Sequence, residues 1–555
     1  MNRCKIAIIA LDGASPDLVE RWAREGYLPN LAKLLEQGAF GPLLSVVPPV
    51  TGAAWGSFLT GVAPGRHGVF EWLSRREGSY QMGLIDSSFL RYPTLFEWLS
   101  THGVRVGAVG VPLTYPVRPI RGFILSDLLT PPGQNYAYPP HLKEELEHHL
   151  GGPYPVAPPP WLGRQRAERW LIALKASLAA RAKAAQYLAT HHPWDFFMVH
   201  VMETDSVQHQ MWHTLDGIAR RRYRVRMEGN PILEVYQLAD DLVGQLLKSF
   251  DEDTMVFVIS DHGFGPLHYN LHLNTWLLRQ GFLKLKQNFS THLKRLMFEG
   301  GIVPENLYPW EERFRLLGWA RGEQAYRWLG RFSLSMQNID WGKTVAYSYG
   351  NVGQIYLNRR GREPEGIVTE ADAKRILGEL EHALLSWVNP HSGERVVKRV
   401  YGKEEVYSHR ALERAPDLVF LPEDGYSPMG LSEFLSNEII SQPVAHSGWH
   451  RMEGLFVGVG EPLQRGFAKN LRLIDLYPTI CKLFGVPIPP DMDGQVSEEL
   501  LRSEAKPHQT WETSSERGTG TPDRPTEGAI VGSHSTATSA EEELIRERLK
   551  GLGYF

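Results

Sequence analysis

The sequence predicts an α/β protein with a mostly parallel central sheet covered on both faces. Three observations carry this. Between residues 5 and 259, short apolar runs rich in β-branched residues alternate with amphipathic stretches, the β-α-β order of parallel sheets. These runs show no polar/apolar alternation, as expected of strands buried on both sides. The pattern loosens after about residue 271 and resumes at Gly454–Val459, which places a long insertion inside one sheet domain.

The elements follow in order. Lys5–Leu11 reads as the first buried strand. Asp17–Arg24 and Asn30–Gln37 read as helices, the second stopped by Gly38. Thr94–Thr101 is a further helix and Val104–Val109 the next strand. A long Ala/Leu/Arg helix, Arg164–Thr190, precedes the strand Phe196–Val201. The helix Leu233–Phe250 precedes the strand Thr254–Ile259. Late in the chain, Gly454–Val459 is a strand and Leu473–Phe484 a helix.

The domain reading has four parts. Residues 1–270 and 441–502 form the core, and 271–440 a cap suited to substrate selection, with strand-like pieces at Gly353–Leu357 and Asp417–Leu421. Residues 503–538 are rich in Ser, Thr, Gly and Pro and read as a disordered linker. Residues 539–555 read as a C-terminal helix. Ser539-Ala540-Glu541-Glu542 has a capping-box pattern, and Leu544, Ile545, Leu549 and Leu552 line one face.

Composition excludes several classes. In 555 residues, 59 Lys and Arg against 63 Asp and Glu leave a net charge of −4, without the basic surplus of a general nucleic-acid binder. Two cysteines, Cys4 and Cys481, exclude a disulfide framework and a Cys-rich zinc site. The first apolar run, Ile6–Leu11, is too short for a signal-peptide core, and no run has the length of a membrane span. The expectation is a cytoplasmic protein without a membrane or nucleic-acid partner, acting on a small molecule. Any partner of the C-terminal helix is left open.

Three predicted strands lead into acidic residues. Ile6–Leu11 runs into Asp12, Phe196–Val201 into Glu203 and Asp205, and Thr254–Ile259 into Asp261 and His262. In open parallel sheets ligands bind beyond the carboxyl ends of the strands. Strand-end aspartates are also helix caps and turn formers. Several together repel one another unless cations hold them, which favours a metal site. His209 follows Asp205 by one helical turn, a spacing that suits two ligands of one ion, and His213 extends the row. The Asp261-His262 pair offers carboxylate and imidazole at a turn. Thr51 stands at the start of a helix reaching Thr60. Its hydroxyl suits either a helix cap or a nucleophile. His446 and His450 precede the late strand.

These pieces, in this order, resemble the alkaline phosphatase superfamily, in its type I phosphodiesterase/nucleotide pyrophosphatase-like branch of phosphohydrolases and phosphomutases. The resemblance rests on Ile8-Ile9-Ala10-Leu11-Asp12-Gly13, on Thr51 before Thr60-Gly61 and Pro64-Gly65-Arg66-His67-Gly68, and on Asp205 with His209. It rests further on Ser260-Asp261-His262-Gly263, His450-Arg451-Met452-Glu453-Gly454 and Asp475-Leu476-Tyr477-Pro478-Thr479. Gly485-Val486-Pro487 and Met492-Asp493-Gly494 follow as the end of the core. It implies a three-layer α/β/α sandwich with an inserted cap, and two divalent cations, Zn²⁺ or alternatively Mn²⁺. One ion would be held by Asp205, His209 and His450, with His446 as the competitor of His450. The other would be held by Asp12, Asp261, His262 and the Thr51 oxygen.

The implied activity is hydrolysis of a phosphomono- or phosphodiester through a phospho-threonine on Thr51. A phosphomutase or phosphotransferase on the same chemistry is the alternative, and a non-catalytic scaffold a third. Nucleotide pyrophosphatases usually carry Asn three residues after the nucleophile; here it is Ala54, which puts a nucleotide diester in doubt. The Cys/Ser-x-Pro-x-Arg context of sulfatases is missing at Thr51. Expected substrate contacts are Arg66, His268, His272 and Asn351, with Asn270 and Tyr349 as further candidates.

Overall fold

The computed structural model describes residues 4–76, 78–223, 229–306, 333–407, 413–429, 434–444, 446–502, 537–552 and 554. The strands that matter here are β1 (Ile6–Leu11), β2 (Ala39–Leu44), β3 (Val106–Val109), β4 (Gly122–Leu125), β5 (Ala137–Tyr138), β6 (Phe196–Val201), β7 (Met255–Ile259), β8 (Gly263–Pro266), β9 (Gly448–Arg451) and β10 (Glu453–Val459). The helices are α1 (Thr51–Thr60), α2 (Ala167–His191), α3 (Glu203–Met211), α4 (Pro231–Ser249) and α5 (Ser539–Leu552).

A ten-stranded sheet runs in the order Gly466–Phe467, β2, β10, β7, β1, β6, β3, β4, β5, with Leu471–Arg472 also on β2. β1 lies between β7 and β6 and is parallel to both. β3 continues the parallel set, whereas β10 is antiparallel to β2 and β7. β1 shows why the sequence reads as it does. Ile6, Ile8 and Ala10 face a core containing Trp55 and Phe58 of α1. Ala7, Ile9 and Leu11 face a second core with Leu188 of α2 and Val235 of α4. Successive side chains alternate between faces, and both faces are covered, so the strand must be apolar throughout.

β2 escapes the sequence reading because Gly41 and Pro42 hide it. The outer edge pieces pair with β2 at Ala39–Phe40 and Leu43–Leu44, so Pro42 falls in the gap where no amide is needed.

The cap carries a four-stranded sheet in the order Ala346–Ser348, Gln354–Leu357, Leu418–Pro422, Val397–Gly402, with its own core around Tyr347, Ile355, Leu380 and Phe420. At its neck, Tyr269–His272 pairs with Tyr426–Met429 and with Ile440–Ser441, so the chain enters and leaves the cap through one small sheet. The stretch read as a linker lies, over 503–536, outside the described residues.

The C-terminal helix departs from expectation in two details. Its capping box is made one residue upstream: Thr538 Oγ1 donates to Glu541 at 2.7 Å and accepts the Glu541 amide at 3.4 Å. Leu544 is 53% exposed, whereas Ile545, Leu549 and Leu552 are buried. They pack into the core that holds Trp72, Leu73, Leu84 and Leu128, so the tail is part of the main body.

Among the described residues, no helix is long and apolar enough to cross a membrane.

Candidate metal centre

β1, β6 and β7 are parallel and end at one edge of the sheet, and the candidate residues converge there. Asp12 leaves β1. Gly13 follows with φ +65°, and its amide donates to Asp261 Oδ1 at 3.2 Å. Glycine is needed for that turn: a Cβ there would lie 2.9 Å from Phe264 in a backbone region that strains L residues. Asp261 and His262 occupy the turn between β7 and β8, with His262 Nε2 3.3 Å from Asp261 Oδ2. Asp205 and His209 sit one turn apart on α3, 3.5 Å between Oδ1 and Nε2. His450 lies on β9, opposite Phe264 of β8, and not in a loop. Ligand atoms of Asp12, Asp261 and His262 lie within 4.8 Å of one another, and so do those of Asp205, His262 and His450. His262 therefore borders both groups, and His209 Nε2 is 3.0 Å from His450 Nε2.

Thr51 is the first residue of α1 and makes no cap; the cap position is Val50. The Thr51 hydroxyl stands 3.3 Å from His262 Nε2 and 3.5 Å from Asp12 Oδ1. The capping alternative is thereby set aside.

The backbone assigns the histidine tautomers. Nδ1 of His209 faces Gly448 O at 3.3 Å, Nδ1 of His262 faces Gly263 O at 3.1 Å, and Nδ1 of His450 faces Pro49 O at 3.0 Å. A carbonyl only accepts, so each Nδ1 carries the proton. Burial lowers the pKa of all three imidazoles below the ordinary value, with neighbouring histidines adding to it for His209 and His450. They are neutral, and three Nε2 lone pairs point into one cluster.

The carboxylates complete the picture. Burial, and then the charge of Asp12, raise Asp205 and Asp261 well above the usual carboxylate range. Burial opposes ionisation of Asp12 as well, but the hydrogen bond and charge of His200, with His262 and Trp55, hold it below that range. Among the described residues, the buried Asp205 Oδ1 and Asp261 Oδ2 have no hydrogen-bond partner. Facing lone pairs at 3.0 Å and orphaned carboxylate oxygens are unfavourable alone and favourable around cations. The residues present fit divalent metal.

Two orienting residues went unread in the sequence. His200 Nε2 is 2.7 Å from Asp12 Oδ2, and Trp55 Nε1 donates to the same oxygen at 3.1 Å. The available signal was one imidazole in an otherwise apolar strand, opposite Ala10 in the sheet register. Tyr554 was also missed; its hydroxyl lies 3.2 Å from Thr51 Oγ1.

Other candidates lie apart. Glu203 pairs with Arg181 at 3.2 Å. α3 stops at Met211, so His213 leaves the ligand row and meets Ser447 Oγ at 3.2 Å. His446 Nδ1 is 3.2 Å from Gln210 Nε2, outside both ligand groups. Three expected substrate contacts have polar partners within the protein. Arg66 is bound to Asp493 at 2.6 Å, His268 to Asp216 at 3.1 Å, and His272 to Ser441 Oγ at 2.8 Å. Each is held by a nearby polar partner, which sequence spacing could not show. Tyr349 donates to the Tyr80 carbonyl. Asn351 does come near, donating to the Tyr554 carbonyl at 3.0 Å.

The mostly parallel sheet, with buried carboxylates and imidazoles at its strand ends beside a helix-borne threonine, has an alkaline phosphatase-like fold. The chain belongs to the type I phosphodiesterase / nucleotide pyrophosphatase family, whose model matches residues 6–433. It is a phosphoric ester hydrolase. Phosphonoacetate hydrolase from Sinorhizobium meliloti 1021 with phosphonoformate is similar at 17% identity and a TM-score of 0.54, over 86% of this chain and 94% of that one. The same enzyme with phosphonoacetate gives 17% and 0.53 over the same shares. Human ectonucleotide pyrophosphatase / phosphodiesterase 5 is 13% identical with a TM-score of 0.49, over 90% of this chain and all of that one. A search of curated proteins finds no match.

Proposed function

We propose that this chain hydrolyses a phosphate ester by two successive displacements, with Thr51 as the nucleophile at a site that would hold two divalent cations. The observation that carries the reading is the pair of buried carboxylate–imidazole groups that share His262, whose Nε2 stands 3.3 Å from the Thr51 hydroxyl. Asp205, His209 and His450 would hold one cation; Asp12, Asp261, His262 and the Thr51 oxygen the other. Such a pair supplies charge neutralisation for the attacking and leaving oxygens of an in-line displacement.

The protein's own groups do the rest. α1 presents Thr51 Oγ1 from its first turn, where the helix N-terminus favours negative charge. Thr51 Oγ1 bonds to phosphorus as the ester P–O bond breaks, and the hydroxyl proton leaves with the departing alcohol. Water then attacks the phospho-threonine and restores the hydroxyl, releasing orthophosphate from a monoester or a phosphomonoester from a diester. His200 and Trp55 hold Asp12 in one orientation throughout.

Three imidazoles favour Zn²⁺ over Mn²⁺ in this reading. The test is metal content together with turnover of aryl phosphate mono- and diesters and phosphonoacetate, for wild type and Thr51→Ala. About two Zn²⁺ per chain and turnover lost in Thr51→Ala support the reading. Metal-free protein, or turnover surviving in Thr51→Ala, overturns it.

A further inference from the structure

The C-terminal segment is built into the candidate site. Helix α5 is anchored along its length: Glu542 to Arg76 at 3.0 Å, Glu541 to Gln134 at 2.7 Å, Arg546 to the Met82 carbonyl at 2.6 Å, and the Gly551 carbonyl to the Trp161 amide at 2.8 Å. Beyond it, Tyr554 turns inward. Its hydroxyl meets Thr51 Oγ1 at 3.2 Å and Asp205 Oδ2 at 3.3 Å. Its ring stands edge-on to Trp72, 5.5 Å between centroids at 71°. Its carbonyl accepts from Asn351 Nδ2 at 3.0 Å.

The walls around Tyr554 come from two parts of the chain. Trp72 also packs 3.5 Å from where a Cβ on Gly52 would be, beside the nucleophile. Among the described residues its indole N–H, which is buried, has no hydrogen-bond partner. Asn351 belongs to the cap, and its amide donates to Glu71 at 3.3 Å, while Gln354 donates to the Phe70 carbonyl at 3.0 Å. Cap and core thus meet around the tyrosine. With Tyr554 seated, Thr51 has 0% exposure, as have Asp12, Asp205 and Asp261. A phenol oxygen touching both the nucleophile and a candidate ligand carboxylate stands where an oxygen of the ester must come.

We propose that the C-terminal segment is a tethered pseudosubstrate. Tyr554 fills, between Trp72 and Asn351, the subsite for an aromatic leaving group, and it must withdraw before an ester reaches Thr51. The inference rests on the hydrolase reading for its substrate class. The plug itself rests on contact and burial alone.

The test uses the full-length, Zn²⁺-loaded protein and phenylphosphonate, a phosphoryl probe that Thr51 cannot hydrolyse as an ester. A competing internal group lowers apparent affinity by the fraction of open protein. Tyr554→Ala is expected to bind phenylphosphonate about tenfold more tightly than wild type by calorimetry. Tyr554→Phe, which keeps the ring and loses the hydroxyl, should gain less. In Tyr554→Ala, phenylphosphonate should bind more tightly than methylphosphonate, and Trp72→Leu should erase that preference. In wild type, saturating phenylphosphonate should speed amide exchange in the last turn of α5. Unchanged or weaker binding in Tyr554→Ala, or slower exchange on binding, overturns the proposal. Tighter binding without ester turnover by either protein upholds the plug and sinks the hydrolase reading. Thr51-dependent turnover with equal binding overturns the plug alone.

Discussion

Replacing His200 by leucine removes the hydrogen bond that aims Asp12. The magnitude follows from the geometry. The contact is 2.7 Å long, both side chains are buried, and Asp12 is the carboxylate held ionised. A hydrogen bond to a charged group contributes about 1.5–3 kcal/mol. At about 1.4 kcal/mol per tenfold, its loss weakens metal binding by about 10–100-fold. Trp55 Nε1 still donates to the same oxygen at 3.1 Å, which places the effect at the lower end. The assay is titration of Zn²⁺ against a competing chelator, with thermal melting of the metal-free protein as the fold control. His200→Gln retains an N–H donor and should recover part of the affinity, which a purely packing role would not give. Wild-type affinity in His200→Leu would refute the claim that Asp12 depends on this partner.

Three further outcomes follow. Zn²⁺ should raise the melting temperature of wild type, since a ligand at a hundred times its dissociation constant stabilises by about 2.7 kcal/mol, and His450→Ala should lose most of that rise. Gly448→Ala would put a Cβ 2.4 Å from the Gln208 carbonyl and 2.8 Å from Phe264, between α3 and β9; a cost of about 1–3 kcal/mol in urea unfolding and weaker Zn²⁺ binding are expected. Burial pushes the His272 imidazole down from 6.5 to about 3, so the unfolded chain holds one more proton between those values. Stability from this group is therefore complete above about pH 6.5 and falls by about 1.4 kcal/mol per pH unit below it; in urea unfolding at pH 7 and pH 5, His272→Gln should lose one proton's worth of that dependence.

What the sequence revealed and what it hid divide along a physical line. Strands buried on both faces are apolar, at every position in β1 and β7 and at all but His200 in β6, so all three were readable from composition alone. Asp205 and His209 were readable as a pair because one helical turn fixes their distance. His200 needed the register of β6 against β1, and Trp55 the seating of α1 on the sheet, and both are long-range facts. Thr51 was ambiguous because a first-turn hydroxyl serves as a cap or as a nucleophile, and only its partners distinguish them. The polar partners of Arg66, His268 and His272 are Asp493, Asp216 and Ser441, all far away in sequence, so spacing alone gave no sign of them. Tyr554 follows a stretch of linker composition, so nothing local linked it to Thr51.

The most direct test of Thr51 as nucleophile is to quench the Zn²⁺-loaded enzyme with acid during turnover of an aryl phosphate and examine the Thr51 peptide by mass spectrometry. The account predicts one phosphate on Thr51 in wild type, and in Thr51→Ala no phosphate and turnover reduced at least about a thousandfold. Continuing turnover by Thr51→Ala, or a phosphate trapped on another residue, would contradict it.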